Sequence, residues 1–346
     1  MKRALILGAL VATGLTAVAV SAQRAVLPPP GKIEKIGDNL YKVFGGGGNT
    51  TLFVRSDGVV LVDTKMPGNG QAILDQLRTV TDKPVTMIIN THSHPDHVGS
   101  NDFFKNASPT IDVVAQENAK KWLSSGPRVV PATIPTRTYT DRLTLGAGKD
   151  RIDLFYFGAG HTDNDSFVVF PSERAMVAGD LMAWHMAPLI DPGSGGSVIA
   201  LADTMEKASK GIKGVDKVIE GHGDVNSWAG FRLMTEFDRA LLTAAKAAYD
   251  KGEPPEAALA VLQKNPKFSA QLGDQLLPGL EYGNTPKARA LMNINVAYQE
   301  FAGEKVTTNF GGPLPVTGKH KGSASDITGP GRGAPGGGGA APAPKQ

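Results

Sequence analysis

Short runs of β-branched and aromatic residues, separated by turn residues, dominate the first half of the chain. Such runs cover residues 40–44, 50–54 and 59–62, with glycine-rich or Ser-Asp-Gly segments between them. This alternation is typical of β-hairpins. Similar apolar runs predict further strands at 85–89, 111–115, 152–157, 167–170, 175–178 and 217–219.

Helical spacing of apolar residues appears between and after these strands. Ile73, Leu74, Leu77 and Val80 share one face of a helix predicted over 71–80. Other helices are predicted at 116–123, 198–210, 227–250, 255–264 and 286–302. Strands mixed with interposed helices predict an α/β (α+β) domain, in which two sheets have helices outside them.

Composition narrows the classes of function. The chain has 346 residues, 41% of them hydrophobic, which is enough for one large core or two small ones. Its formal net charge of +3, without a basic stripe, gives no indication of nucleic-acid binding. The absence of cysteine excludes disulfides and thiolate metal ligands.

The N-terminus has the features of an export signal. Lys2 and Arg3 precede an apolar segment at 4–20, and small residues end the segment at Ala22. We predict a signal peptide over 1–22 with cleavage after Ala22, and an uncleaved membrane anchor is the alternative. The prediction implies a periplasmic or secreted protein without stable membrane insertion after cleavage, and the lack of cysteine suits a bacterial periplasm.

The C-terminal end is rich in glycine and proline. Residues 311–346 contain almost no large apolar side chains after Val316, so they cannot bury enough surface to offset chain entropy. We predict a disordered tail over 311–346 and a folded domain over 23–310.

The strongest chemical signal is a run of histidines and aspartate after the predicted strand 85–89. His92, His94, Asp96 and His97 fall within six residues, in a chain that has only seven histidines. Imidazole and carboxylate are the ligands of zinc in hydrolytic sites. His92 and His94 are predicted at the strand end, and Asp96 with His97 on a tight turn after Pro95. One loop can thereby supply ligands to two metals.

Three more candidate ligands stand in matching settings. His161, Asp180 and His222 each follow an apolar run and a glycine, at predicted strand ends. A histidine after a strand is more often an ordinary polar loop residue, but two coordination shells need further partners. His185 and His320 do not share the pattern. His320 is predicted to be solvated in the tail, and His185 to lie at the pocket mouth or on the surface.

Taken in order, these segments resemble the metallo-β-lactamase superfamily over about two thirds of the chain. The matching segments are Val62-Asp63-Thr64, Thr91-His92-Ser93-His94-Pro95-Asp96-His97-Val98-Gly99, Gly160-His161-Thr162, Ala178-Gly179-Asp180 and Gly221-His222-Gly223. The resemblance implies an αββα sandwich with a binuclear metal site at one edge of the two sheets.

The resemblance also implies a role for each residue of the motif. His92, His94 and His161 would hold the first zinc, while Asp96, His97 and His222 would hold the second. Asp180 would bridge the two, and Asp63 would orient the histidine loop. The implied cofactor is two Zn²⁺ per chain, with other divalent metals as alternatives.

Three departures bear on the substrate. Position 180 carries aspartate, where the lactamases of the family carry cysteine or serine, and this resembles the broader hydrolase branch. His94 replaces the glutamate of the oxygen-reducing branch. No lysine follows Asp180 at the position of a drug-carboxylate anchor, where Ala183-Trp184-His185 stand instead.

We therefore predict a binuclear zinc hydrolase of a small ester, lactone, thioester or amide. A metal-bridging hydroxide would be its nucleophile, and Asp96 would orient that nucleophile or relay its proton. The alternatives are a true metallo-β-lactamase, a nuclease of the same superfamily, and a non-catalytic metal-binding or partner-binding protein.

The walls of the pocket are less sharply predicted. Trp122, Trp184, Met186 and the Gly45–Gly48 hairpin tip are candidates for an apolar wall. The glycines fit a mobile flap or a floppy turn equally well, and Trp184 and Met186 fit a core equally well. The late helices would cover the site or pack behind the sheet.

Overall fold

The computed structural model describes residues 29–125, 129–275, 285–304 and 306. The predicted signal peptide at 1–22 and the predicted tail at 311–346, which contains His320, lie outside the described residues. Both ends of the predicted domain, 23 and 310, lie outside them as well. Among the helices that the structure describes, none has the length and apolarity needed to cross a membrane.

The first sheet has seven strands in the described part of the chain, and their spatial order follows their sequence order. They are β1 (Ile33–Lys35), β2 (Leu40–Val43), β3 (Thr50–Val54), β4 (Val59–Val62), β5 (Val85–Ile89), β6 (Asp112–Gln116) and β7 (Arg137–Tyr139). Strands β1 to β4 pair antiparallel, as hairpins do. Strands β4 to β7 pair parallel, with helices in the crossovers.

The second sheet has six described strands, with β12 and β11 parallel and the other neighbours antiparallel. They are β8 (Arg142–Leu145), β9 (Ile152–Phe155), β10 (Phe167–Phe170), β11 (Ala175–Ala183), β12 (Lys217–His222) and β13 (Val225–Ser227).

The helices lie on the two outer faces. In chain order they are α1 (Gly70–Arg78), α2 (Pro95–Val98), α3 (Asn101–Ala107), α4 (Glu117–Ser125), α5 (Val198–Gly211), α6 (Trp228–Asp250), α7 (Pro255–Gln263) and α8 (Pro286–Ala302). Short 3₁₀ turns cover Pro131–Thr133, Gly148–Asp150, Pro171–Glu173, Pro192–Ser194, Pro266–Phe268 and Ala270–Leu272.

Three apolar layers hold the elements together. Strand β4 is buried on both faces, and its side chains alternate between two of these layers. Val60 and Val62 pack into the core between the sheets, whereas Val59 and Leu61 pack toward α1 and α3. A third core lies between the second sheet and helices α5 to α8. The predicted αββα sandwich is thereby confirmed, and the late helices pack behind the second sheet.

Most predicted elements are present, with shifted ends. Strand β11 continues to Ala183, five residues beyond the prediction, and β12 continues to His222. Strands β1, β7, β8 and β13 were not predicted. These strands are three or four residues long, carry many charged or polar side chains, and therefore lack the apolar run by which strands are recognised.

Candidate metal centre

The predicted site residues collect at one edge of the sandwich, where strands from both sheets end. Asp63 follows β4, and the histidine loop follows β5, its parallel neighbour. Asp180 and His222 lie on β11 and β12, which are also parallel. His161 lies in the loop between β9 and β10. Parallel pairing brings like strand ends together, so residues distant in sequence meet at this edge.

The loop after β5 forms a short helix rather than the predicted tight turn. Pro95 occupies the first position of α2, where its missing N–H costs nothing. His94 precedes the helix in extended conformation, and Asp96 and His97 lie inside it. The change of backbone direction at Pro95 separates His92 and His94 from Asp96 and His97. The loop therefore still divides into the two predicted pairs of residues.

His92, His94 and His161 form the first cluster. Their ring centroids lie 4.7 to 4.9 Å apart, and the ring planes are nearly perpendicular. Nδ1 of His94 is 2.9 Å from Nε2 of His161. One nitrogen from each ring fits within a group whose atoms are all within 4.8 Å, which is the arrangement a single cation needs.

Asp96, His97 and His222 form the second cluster. Nε2 of His97 lies 3.4 Å from Nε2 of His222, which lies 3.1 Å from Oδ2 of Asp96. These three residues also satisfy the spacing of a metal-binding group. The second cluster thus offers two nitrogens and one oxygen.

Asp180 stands between the two clusters. Its Oδ1 is 3.2 Å from Nε2 of His97, and its Oδ2 is 3.7 Å from Nε2 of His161. Contrary to the prediction, Asp180 does not follow a strand end but lies within β11. The pairing of β11 with β12 shifts register on both sides of Gly179, whose φ is +53°, and this bulge turns Asp180 toward the histidines.

The chemistry of these residues fits bound metal ions. His92 Nε2 and Asp180 Oδ1 are buried and have no hydrogen-bond partner in the described chain. Buried polar atoms are almost always paired, so two unpaired ones at this centre fit residues that bind a cation. A donor set of imidazole nitrogens and carboxylate oxygens is the set that zinc prefers. Whether each of the seven residues binds metal stays a prediction.

Hydrogen bonds at the far ring nitrogens orient two of the histidines through Asp63. Asp63 is buried and accepts hydrogen bonds from His97 Nδ1 at 2.7 Å and from the Thr91 hydroxyl at 2.7 Å. The Thr91 hydroxyl oxygen in turn lies 3.0 Å from His92 Nδ1. In this network the opposite nitrogens keep their lone pairs for a metal.

Two of the other three imidazoles of the centre have partners that no sequence pattern predicted. His94 Nε2 donates to Asp191 Oδ2 at 2.9 Å, and His161 Nδ1 donates to the Leu189 carbonyl. Asn293 of α8 donates to the neighbouring Pro188 carbonyl at 3.0 Å, so the last helix also supports this loop. Asp191 precedes Pro-Gly and reads as a turn residue in sequence, which gives no signal of its role.

The electrostatics of the two clusters differ. Burial lowers the pKa of His161 to about 4 and that of His92 well below its usual value. Burial also acts to lower the pKa of His222, but the carboxylates of Asp180 and Asp96 outweigh it and raise that pKa to about 9. The imidazoles of His92 and His161 are therefore neutral, whereas His222 carries a positive charge beside the carboxylates of Asp96 and Asp180.

The Gly45–Gly48 segment, predicted as a mobile flap or a floppy turn, is a packed part of the site. It is buried beneath the histidine loop, where the Gly48 N–H donates to the Asp96 carbonyl at 3.0 Å. A Cβ at Gly48 would lie 2.3 Å from the His97 ring. The Lys65 ammonium donates to the Val43 and Gly48 carbonyls, at 2.6 and 3.0 Å, and so holds both ends of the segment.

The predicted apolar wall is also revised. Trp184 and Met186 are buried in a small cluster with Ala183, which agrees with the core alternative. Trp122 is half-buried, and its indole N–H donates to Asp163 at 2.7 Å. The His185 side chain is partly exposed, and its Nδ1 lies 2.8 Å from Oε1 of Glu220. His185 is therefore a surface residue.

Solvent reaches the centre from one side. The side chains of Asp96, His94 and Asp180 are 23%, 15% and 13% exposed, whereas those of His92 and His97 are fully buried. Asp96, His94 and Asp180 therefore form the mouth of the centre.

Comparisons with known proteins identify relatives of this chain. The profile described as "Metallo-beta-lactamase superfamily" matches residues 43–183. A "Metallo-beta-lactamase type 2" of Elizabethkingia meningoseptica is 28% identical over 240 residues, covering 65% of this chain and 88% of the relative. The enzyme of the same description from Bacteroides fragilis is 25% identical over 220 residues, covering 60% and 85%.

A solved structure shares the fold. The crystal structure of DIM-1 metallo-beta-lactamase superposes with a TM-score of 0.53 at 18% identity. The match covers 62% of this chain and 99% of that one. At this identity the likeness concerns the fold alone, and it agrees with two mixed sheets flanked by helices.

Proposed function

Because the chain belongs to the metallo-β-lactamase superfamily and is a metallohydrolase, we propose that it uses two zinc ions to open the amide ring of β-lactams. The observation that carries the metal chemistry is the position of Asp180 between two clusters, each of which offers three ligands. His92, His94 and His161 would hold one ion, while Asp96, His97 and His222 would hold the other.

The substrate class rests on the relatives. Two of them, aligned over 88% and 85% of their own lengths, are described as metallo-beta-lactamases. The descriptions of these relatives favour β-lactams over the predicted class of esters, lactones and thioesters. Aspartate at position 180 and the absence of lysine and arginine from 181–191 favour that class as a second candidate.

Bound zinc ions would supply Lewis acidity and lower the pKa of water, as in other zinc hydrolases. The residues of the chain would orient the reactants. Interactions with His97 and His222 outweigh burial and lower the pKa of Asp96, so this carboxylate is ionised at neutral pH. Asp96 is also the most exposed of the three mouth residues. It can accept a hydrogen bond from the attacking water and so direct the oxygen toward the carbonyl carbon.

The reaction balances as a hydrolysis. The water oxygen bonds to the carbonyl carbon and the C–N bond of the ring breaks. One proton of the water, held at the Asp96 carboxylate, passes to the leaving nitrogen. The product is an open amino acid, so no oxidant or second substrate is needed.

The test is a substrate panel with the zinc-loaded protein. We expect kcat/KM for a chromogenic cephalosporin to exceed that for a lactone, an aryl ester, a thioester and a phosphodiester by about tenfold or more. A chelator should abolish the activity, and zinc should restore it. Asp96→Ala should lower kcat, whereas Asp75→Ala, an exposed change on α1, should not.

Other outcomes separate the alternatives. A lactone, ester or thioester turned over faster than the cephalosporin would overturn the β-lactam assignment in favour of the second candidate. A protein that binds two metals but hydrolyses none of the panel would overturn the hydrolase itself and favour a binding role.

Export and domain limits belong to the same proposal. Segment 1–22 would direct the chain to the periplasm and be removed, which leaves the hydrolase domain at 23–310. N-terminal sequencing of the protein from a periplasmic extract should begin at Gln23. A mature chain that begins at Met1 would contradict the cleavage.

A further inference from the structure

The turn after the bridging aspartate has an unusual backbone. Strand β11 ends at Ala183, which forms an isolated bridge with Met186, and the two residues between them have φ of +53° and +57°. These residues are Trp184 and His185. Positive φ at both central positions of a tight turn is normally met by asparagine and glycine. Other L-residues are strained in this region, so some interaction must hold the turn.

A buried carboxylate on the neighbouring strand holds it. Glu220 lies two residues before His222 on β12 and is fully buried. Its Oε2 accepts the His185 backbone N–H at 2.9 Å, and its Oε1 lies 2.8 Å from His185 Nδ1. Asn226 donates to the same Oε1 at 2.8 Å. The Trp184 N–H donates to the His222 carbonyl at 3.1 Å, so β12 holds the turn at both central residues.

The result is an aromatic ring laid on a predicted metal ligand. The Trp184 indole stacks on the His222 imidazole, with centroids 4.5 Å apart and planes at 19°. The indole is 6% exposed. Gly223 leaves room for it, because a Cβ there would come within 3.4 Å of the Trp184 backbone. With its face covered, His222 keeps Nε2 directed at Asp96 and Asp180, at 3.1 and 3.5 Å.

We propose that Trp184 is a positioning residue for the second metal, and that Glu220 stabilises the strained turn that presents it. The inference rests on the proposed function only in that His222 is a metal ligand. His222 ends a strand, and the Trp184 indole covers the face of its imidazole ring. Loss of the stack frees ring rotation, so the second metal should be held more weakly while the first is held as before.

The test measures metal binding rather than turnover. Trp184→Leu, Trp184→Phe and wild-type protein are titrated with Zn²⁺ against a chromogenic chelator, and the cobalt-substituted proteins are compared by absorption. In Trp184→Leu we expect the second binding step to weaken by about 10–100-fold, with the first step unchanged. Trp184→Phe should restore most of the affinity and the wild-type cobalt spectrum.

A matched control is present in the chain. Trp228 stacks on Phe231 at 4.9 Å and 19°, away from the metal centre, so Trp228→Leu should leave both binding steps unchanged. If Trp184→Leu does not fold, Glu220→Gln tests the same inference. Glutamine has the size of glutamate but replaces one acceptor oxygen by an NH₂ group, so zinc binding at the second step should again weaken. Folded Trp184→Leu and Glu220→Gln proteins with wild-type affinity at both steps would overturn the inference.

The two proposals fail in different ways. Metal binding that depends on Trp184 in a protein without hydrolytic activity would overturn the function and support the inference. Wild-type metal binding in an active Trp184→Leu protein would do the reverse.

Discussion

The His97 imidazole donates its Nδ1–H to Oδ2 of Asp63 across 2.7 Å, and both side chains are buried. Asp63 also accepts the backbone N–H and the hydroxyl of Thr91, at 2.8 and 2.7 Å. One carboxylate thereby orients His97 and anchors the start of the histidine loop. The backbone of Asp63 has a φ of +62°, in the left-handed region that asparagine and aspartate tolerate better than most residues.

Replacing Asp63 by asparagine should weaken metal binding without unfolding the protein. Asparagine keeps the size and the backbone conformation of Asp63. Its NH₂ group, however, would face one of the three hydrogen-bond donors that Asp63 accepts, two from Thr91 and one from His97, and it cannot accept that bond. We expect zinc affinity at the cluster of His97 to fall by about 10–100-fold in a chelator competition. Asp216→Asn, in an exposed pair with Arg174, should bind zinc like the wild type. Unchanged affinity in a folded Asp63→Asn protein would contradict the role of this hydrogen bond.

A methyl group at Gly48 should displace His97. The Cβ of Gly48→Ala would lie 2.3 Å from the buried imidazole, far inside van der Waals contact. We expect kcat/KM of the zinc-loaded protein to fall by about tenfold or more. The matched control is Gly31→Ala, whose Cβ would meet only the Phe44 carbonyl, at 3.7 Å. Equal activities in the two variants would show that the loop tolerates the shift.

The sequence predicted what local patterns encode. Residues 50–54, 59–62, 85–89 and 167–170 were predicted as strands at their observed limits, because each is a continuous run of apolar or β-branched residues bounded by turn residues. The seven polar residues of the centre were also predicted, since metal ligands are limited to a few residue types, which here follow apolar runs of the sequence. The structure brings all seven together.

Tertiary relations left no such local signal. The bulge at Gly179 depends on pairing between β11 and β12, and nothing in the sequence predicts that Asp180 lies inside a strand. Gly45–Gly48 was interpreted as mobile because glycine permits mobility, whereas here it permits close approach to His97. Asp191 and Trp184 act through one spatial neighbour each, and a single sequence does not reveal such pairs.

Asp191 should orient His94 of the first cluster, as Asp63 orients His97 of the second. Its carboxylate accepts the Nε2–H of His94 at 2.9 Å and the Ser194 hydroxyl at 2.6 Å. Asp191→Ala leaves the His94 ring without this partner. We expect zinc affinity at the first cluster to fall by about tenfold while the second cluster is unaffected. Cobalt titration followed by absorption distinguishes the two steps, and a loss confined to the second step would contradict the assignment.

Asp238 is a buried carboxylate outside the metal centre, and it should make stability depend on pH. Neither of its oxygens has a hydrogen-bond partner among the residues that the structure describes. Burial raises the pKa of this group well above its ordinary value. Between the unfolded and folded pKa values, the folded state binds the proton and the unfolded state does not. The free energy of unfolding therefore falls as pH rises through this range, by about 1.4 kcal/mol per pH unit for this group.

Asp238→Asn removes that titration while nearly preserving the volume. Relative to the wild type, the variant should gain stability as the pH rises from about 4 to about 8, by at least about 1 kcal/mol. Urea unfolding of both proteins at the two pH values measures the change. Asp75→Asn, an exposed substitution on α1, should show no such gain. A stability difference between Asp238→Asn and wild type that is the same at both pH values would mean that the buried carboxylate does not titrate in this range.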